Sequence, residues 1–386
     1  MEEASEKFDL IIAGGGAAGL SLAYRLCNAT FAHLNIALVD PEVKTGIDHT
    51  WCSWMVGNQI FDDCAVNFFS KIRVAGKGQE MLFNIEPYQY RMLQSSQFYS
   101  LVNSAIDNTP NIKRFTQKIL SIEDRGGKLW VAMDSGVKII GDKVVKSYLD
   151  NPVQIKANNA LYLDQHFKGW FIRTKEKSFD TTQCTFMDFN IDQNGETRFM
   201  YVLPISPNEA LVEVAIFSND ILEMKQYESI LQSYIHNNLK LMDYEIYDEE
   251  FGIIPMTSGN LEPQTLTNVT LIGTAGGGIK ASTGFGFERI QRQCDQIVKC
   301  LLQNKPLHTA VFPKRFTYYD ATLLHVLINN KIPGDQVFIE LFAKNGPKPL
   351  LKFLDDKTNF WEELKIMYST DKIKFASSFL SILFKK

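Results

Sequence analysis

The feature that most narrows the fold of this chain lies near its start. Gly14-Gly15-Gly16-Ala17-Ala18-Gly19 has the spacing G-x-G-x-x-G. It follows an apolar run over 8–13 that reads as a short buried strand. It opens a stretch over 17–27 in which Leu20, Tyr24 and Cys27 recur at helical spacing. A second apolar run over 35–40 ends on Asp40, 21 residues past Gly19. Strand, helix and strand in this order form a βαβ unit, with parallel pairing and a right-handed crossover. Each glycine then has a physical task. Gly14 permits the tight turn, Gly16 lets backbone approach a pyrophosphate, and Gly19 permits close helix–strand packing. The helix start at Ala17 offers free N–H groups and positive dipole to phosphate, and Asp40 can take ribose hydroxyls. The bland alternative is a glycine-rich turn without function, and the flanking elements argue against it. Asp40 suits FAD or NAD and would repel the 2′-phosphate of NADP. A site at the extreme N-terminus, with later strands interrupted by insertions, is by fold analogy more typical of FAD enzymes.

A second strand–glycine loop–helix follows much later. Leu271-Ile272-Gly273-Thr274-Ala275-Gly276-Gly277-Gly278 leads into Ala281-Ser282-Thr283-Gly284-Phe285-Gly286-Phe287 and a helix over 285–302. Two such loops can clasp the ends of one extended cofactor. Gly273, Gly276, Gly277, Thr283, Gly284 and Phe285 are therefore candidate cofactor contacts. The helix start would favour negative charge on a flat ring, as on a reduced flavin. A packed turn is the alternative.

Between the loops, 67–85 reads as a hairpin turning near Gly76 to Gly78, and 93–106 as a helix. Short strands fill 112–148, and 166–217 is strand-rich. A helix over 222–238 and strands over 243–255 and 269–273 follow. Everything after 310 reads as helices. That order suggests a substrate domain inserted in a nucleotide-binding domain. The expected division is 1–66, 88–160 and 256–305 for the cofactor, 67–87 and 161–255 for substrate, and a helical region over 306–386.

Composition restricts the partners. A net charge of −4 gives no basic field for nucleic acid. Six cysteines without a C-x-x-C spacing make neither a disulfide framework nor a metal site, and point to a reducing, cytoplasmic setting. No run of 18 apolar residues occurs, so no spanning helix is expected. The acidic N-terminus lacks the basic start of a secretory signal. From Asp371 to Lys386 four lysines outweigh one aspartate, interleaved with Phe375, Phe379, Ile382 and Leu383. Such a segment suits an anionic membrane surface, or else docks on the body as a terminal helix.

Further residues carry a resemblance. They are Asp48-His49-Thr50-Trp51, Tyr90-Arg91, Gly169-Trp170, Met187-Asp188 with Asp192-Gln193, Arg198-Phe199 through Leu203-Pro204, Leu211-Val212-Glu213, and Gly276-Gly277 through Phe285. With the first glycine cluster, they make the chain resemble the FAD-dependent lycopene cyclases of carotenoid synthesis, in particular the bacterial β-cyclases, over roughly residues 8 to 345. The resemblance implies an α/β fold: a Rossmann-type FAD-binding domain of the p-hydroxybenzoate-hydroxylase-like kind, an inserted antiparallel β-sheet substrate domain and a helical C-terminal region. It also implies a non-redox closure of the acyclic ends of lycopene to β-ionone rings, with reduced FAD present and NAD(P)H needed only to reduce it. The substrate would be a lipophilic carotenoid, and the enzyme would sit peripherally on the inner face of the cell membrane.

Ring closure needs a dry acid, stabilisation of a carbocation and exclusion of water. The resemblance implies Glu213 as the acid, since the family's catalytic carboxylate matches this position; set in Ala-Leu-Val-Glu-Val-Ala-Ile-Phe, it has apolar neighbours that would desolvate it and keep it protonated. An outward-facing strand residue, or a salt bridge to Arg198, is the alternative. Some relatives carry a second acid at the next position, where this chain has Val214, so a second acid must come from elsewhere. Asp188 is a weaker candidate. The resemblance also implies Arg91 as a cofactor contact. His49, Trp51, Trp54, Trp170 and Phe287 are expected substrate contacts, with Phe285 beside them; for any single aromatic, core packing is the commoner role. The competing functions are a monooxygenase or polyprenyl reductase on the same fold, a simple NAD dehydrogenase, and a flavin- or isoprenoid-binding protein.

Overall fold

The computed structural model describes residues 6–150, 160–263 and 265–384. The acidic first residues, the last two lysines and most of 150–160, where a domain boundary was expected, lie outside the described residues. The chain opens with β1 (Glu6–Ala13), α1 (Ala17–Leu26), β2 (Ile36–Asp40), β3 (Thr50–Met55), β4 (Ala65–Phe69), β5 (Lys71–Gly76), β6 (Gln79–Asn84) and β7 (Gln89–Gln94). Then come α2 (Ser95–Asp107), β8 (Ile112–Thr116), β9 (Ile119–Arg125), β10 (Lys128–Met133), β11 (Lys138–Lys146), β12 (Tyr162–Arg173), β13 (Gln183–Asp188), β14 (Thr197–Ser206) and β15 (Glu209–Ser218). The rest is α3 (Met224–Asn237), β16 (Glu245–Thr257), β17 (Val269–Leu271), α4 (Phe287–Leu302), α5 (Lys314–Ile328), α6 (Gly334–Asn345), α7 (Pro347–Leu354), α8 (Phe360–Tyr368) and α9 (Lys372–Leu383).

The first sheet runs β8-β2-β1-β11, parallel throughout, and β11 continues into the antiparallel meander β10-β9 while its C-terminal half also pairs with β17. Leu10, Ile12, Leu38 and Val145 pack against α1, α2 and α4 on one face. Ile11, Ala13, Val39 and Val144 fill a separate core on the other. Burial on both faces is why these strands read as unbroken apolar runs. Helix α4 turns Phe287, Ile290, Cys294 and Ile297 inward. Arg25 of α1 bonds Gln291 at 2.9 Å and Asp295 at 2.7 Å, joining the helices that follow the two glycine loops.

The second sheet has the order β16-β12-β15-β14-β13-β5-β6, drawn from 71–84 and 162–257. Its strands alternate. Trp170, Ile172, Met200, Val202, Val212 and Val214 face α3, whose Tyr227, Leu231 and Tyr234 cover them. Phe171, Phe199, Tyr201, Leu203, Leu211 and Ala215 face inward. The inward face is capped by the antiparallel sheet β3-β7-β4 and by the C-terminal helices. This three-stranded sheet was not legible beforehand, because its strands are short and far apart in sequence. The hairpin expected near Gly76 is β5–β6, turning on Lys77 and Gly78, both at positive φ.

The tail forms five helices among the described residues, α5 to α9. Helix α9 lies against α5. Its Phe375 packs beside Val326, Ile332 and Val337, while Leu380 and Leu383 stay exposed. No helix of the described residues is long and apolar enough to cross a membrane.

Candidate functional site

The first glycine loop forms a cradle. A Cβ on Gly19 would overlap the Gly14 carbonyl oxygen, so only glycine lets α1 approach β1 this closely. Gly14 sits at φ +108°. Around Gly16 the space is open, and no side chain caps the α1 N-terminus. Its free N–H groups therefore remain for an anion. Asp40 ends β2 as the spacing required, and one carboxylate oxygen accepts the Gly15 N–H at 2.5 Å.

The second loop abuts the first. A Cβ on Gly273 would come within 2.8 Å of the Ala18 Cβ. Gln293 of α4 accepts the Gly273 N–H at 2.9 Å and donates to the Gly276 carbonyl at 2.7 Å, so α4 holds the loop's shape. Gly277 faces open space at φ +67°. The loop then passes Lys280, whose buried ammonium pairs with Asp320 at 2.9 Å and Asp356 at 2.7 Å. Arg289 also pairs with Asp356, and Ser282 donates to Asp320 at 2.8 Å. These bonds fasten the loop to α5 and to the end of α7.

Beyond Ser282 the loop reaches a cavity of about 110 Å³, lined among others by Trp51, Cys52, Tyr201, Glu213, Glu250 and Phe285. Two unpartnered buried polar atoms stand by this stretch of loop, Gln165 Oε1 and Thr283 Oγ1. An open glycine cradle, two uncapped helix starts and unpartnered polar atoms fit an extended dinucleotide with a polar-edged ring.

The carboxyls in this cavity owe their meeting to sheet register. Tyr201, Glu213, Gly169 and Glu250 lie in one row across β14, β15, β12 and β16. Residues in one row point to the same face. Gly169 stands between the two glutamates and has no side chain. A Cβ there would meet Leu211 Cδ1 at 2.7 Å, Glu250 Cγ at 3.3 Å and Glu213 Cβ at 3.4 Å. The gap lets the Glu213 and Glu250 carboxyls bend together and hydrogen-bond over β12. Burial pushes the Glu213 carboxyl well above the ordinary range, and the adjacent Glu250 raises it further. Burial also raises Glu250, opposed by hydrogen bonds from Glu213 and Thr50. The Thr50 hydroxyl donates to Glu250 Oε2 at 2.8 Å. That bond favours the ionised form of Glu250 and opposes the effect of its burial, whereas at Glu213 burial and the neighbouring carboxyl both favour the protonated form. Arg198, the alternative partner for Glu213, instead pairs with Glu196 at 2.6 Å.

Among the other expected residues, Trp51, Phe285, Phe287, Thr283 and Gly284 line the same cavity. Trp51 stacks on Phe287 at 5.4 Å. Trp54 meets Phe285 edge-on at 4.7 Å and donates its indole N–H to the Leu351 carbonyl at 3.0 Å. His49 is half-exposed beside Asp48 and stacks on Trp51 at 6.0 Å. Three residues stand apart. Trp170 faces α3, because it follows Gly169 and strands alternate. Asp188 is buried between Arg73, at 2.7 Å, and the Tyr234 hydroxyl, at 2.8 Å, and does not line the cavity. Arg91 is fully buried, with its guanidinium shared between Asp62 and Glu288 at 2.5 Å each. Its charge is spent on those carboxylates rather than offered to a phosphate. Glu250 was missed; its only local signal was an acidic residue closing Asp248-Glu249-Glu250, a run that reads as a solvated edge.

Solved structures share this architecture. A geranylgeranyl bacteriochlorophyll reductase-like protein from Thermoplasma acidophilum is 13% identical, covers 97% of this chain and 99% of its own, and has a TM-score of 0.64. A flavoprotein/dehydrogenase from Cytophaga hutchinsonii is 11% identical, with 97% and 99% coverage and a TM-score of 0.61. A probable FAD-dependent monooxygenase from Pseudomonas aeruginosa is 15% identical, with 91% and 100% coverage and a TM-score of 0.54. At these identities the likeness establishes the fold alone. No curated protein matches the chain by sequence. The family model described as "Lycopene cyclase protein" matches residues 9–380, nearly the whole length, and the chain belongs to that family.

Proposed function

We propose that this protein is a lycopene β-cyclase, closing the acyclic ends of lycopene to β-ionone rings without net redox change. The observation that carries this reading is the Glu213–Glu250 pair, two carboxyls brought together by sheet register in a mostly apolar cavity beside the second glycine loop. Cyclisation requires a proton donor and a proton acceptor at one place, and such a pair supplies both.

In this reading Glu213 delivers its proton to the terminal double bond of the polyene. The neighbouring double bond attacks the resulting tertiary cation and closes the six-membered ring. Glu250, whose ionised form the Thr50 hydroxyl stabilises, takes the proton the ring then releases. One proton enters and one leaves, so the product is an isomer of the substrate. Trp51 and Phe285 present π faces to the cation, and the apolar walls keep out water that would trap it as an alcohol. When bound at the two glycine loops, reduced FAD would supply negative charge and a flat π face beside the developing cation. NAD(P)H serves only to reduce it. The enzyme meets its substrate at the inner face of the membrane, through the lysines and exposed apolar residues of the C-terminal helices.

Expression in lycopene-producing cells tests the reading. Red lycopene should turn to orange-yellow β-carotene, identified by chromatography. Unchanged pigment from a folded, flavin-loaded protein contradicts it, and a hydrogenated or oxygenated product supports a reductase or monooxygenase instead.

A further inference from the structure

A cavity of about 530 Å³ lies in the helical region, several times larger than the one over the carboxyl pair. Its walls come from α5 to α9 and are mainly apolar, with Leu323, Phe338, Leu341, Phe342 and Leu350 among them. That volume is within the roughly 300–1,000 Å³ of small-molecule sites. The wall presents no unpaired carboxylate at its inner end, where Asp320 is bound by Ser282 and Lys280. Such a lining suits a hydrocarbon along its length, with polar residues such as Thr370 and Lys372 only a minority of the wall.

Both ends of the cavity lead somewhere. Inside, Ser282 belongs to the loop that carries Thr283, Gly284 and Phe285 to the carboxyl pair. Leu354 lines this cavity and also a small cleft beside Trp54, and that cleft shares Cys52, Phe285 and Phe287 with the carboxyl cavity. The partition is aromatic: Phe285 stacks on Phe186 at 6.1 Å, and Phe186 meets Phe342 edge-on at 5.9 Å. Outside, Leu364 and Tyr368 of α8 line the cavity and also reach solvent. With Trp361 they form one stripe at helical spacing, and Trp361 and Tyr368 are 77% and 73% exposed. Exposed apolar residues contiguous with an apolar cavity mark an entrance.

We infer that this cavity binds the unreacted length of a linear polyene hydrocarbon, which enters past the α8 stripe and reaches the carboxyl pair where the aromatic partition at Trp54 and Phe285 parts. This rests on the proposed reading that the substrate is a long apolar chain.

The test is a titration of the full-length, flavin-loaded protein with diphenylhexatriene, a linear polyene that fluoresces in apolar surroundings. One saturable site is expected, from which squalene, a linear isoprenoid hydrocarbon, displaces the probe. Leu341→Trp and, independently, Leu323→Trp should weaken probe binding at least tenfold, with the thermal transition confirming a folded chain. Failure of squalene to displace the probe overturns the inference without recourse to any variant, as does unchanged binding in either folded variant. If the probe binds as expected but no polyene is cyclised, the reaction reading falls and the cavity assignment stands. If lycopene is cyclised but both folded variants bind the probe normally, the cavity assignment falls alone.

Discussion

Glu213, Gly169 and Glu250 form one functional unit, because each strand contributes one residue to a single row. Replacing Glu213 with Gln keeps the shape and removes the proton. Cyclisation should fall about 10²–10⁴-fold, the scale of general acid catalysis, with flavin content unchanged. Gly169→Ala should do comparable harm while leaving both carboxyls in place, since its Cβ crowds Leu211 and Glu250. The overpacking should cost about 1–3 kcal/mol of stability. A pH effect follows from the raised Glu213 carboxyl. In that range the folded chain holds a proton the unfolded chain has released, so stability falls as pH rises above the ordinary carboxylate range. The loss approaches about 1.4 kcal/mol per pH unit for one proton. Denaturant midpoints should therefore drop from pH 5 to pH 8 in the native protein and drop less in Glu213→Gln. Equal slopes would show that Glu213 is not held protonated. Glu213 was legible through the family resemblance; by itself a lone acid in an apolar strand reads as an outward-facing or salt-bridged residue. Glu250 was not legible, because its strand edge is already acidic and its partner sits two strands away.

At the scale of elements, the glycine loops separate packing from binding. Gly19→Ala strikes the Gly14 carbonyl and should lower the thermal midpoint of the flavin-free protein. Gly16→Ala meets no protein atom within 4 Å and has ordinary backbone angles. It should leave that midpoint within a degree or two while weakening FAD binding at least tenfold, as read by flavin fluorescence. Loss of both properties in Gly16→Ala would mean that the open space is structural. The first loop, its strands and α1 were legible because turn, period and spacing are local. The sheet β3-β7-β4 was not, because its pairing joins 50–55 to 89–94 across an intervening hairpin. Trp170 shows the limit of motif reading: the Gly-Trp pair marks the site, but strand alternation turns glycine to the cavity and tryptophan to α3.

At the scale of the molecule, a buried ion cluster joins the second loop to the helical tail. Asp356 answers two cations, Lys280 and Arg289, 76 and 67 residues distant in sequence. Nothing in their local sequence announces the contact. Asp356→Ala would leave both charges buried and short of a partner, and should cost about 3–5 kcal/mol, measured by denaturant unfolding. Because Lys280 lies in the loop that runs to Phe285, the variant should also lower flavin affinity. A stability loss without any change in flavin binding would mean that the tail supports the fold but not the site.

The central claim is that a carboxyl pair donates a proton and takes one back, with no net transfer of electrons. The most direct measurement runs the purified, flavin-reduced protein on lycopene in deuterium oxide and weighs the product. The account predicts β-carotene carrying one deuterium for each ring formed. A cyclised product with no deuterium, or one gaining two hydrogens with stoichiometric use of reductant, would contradict it.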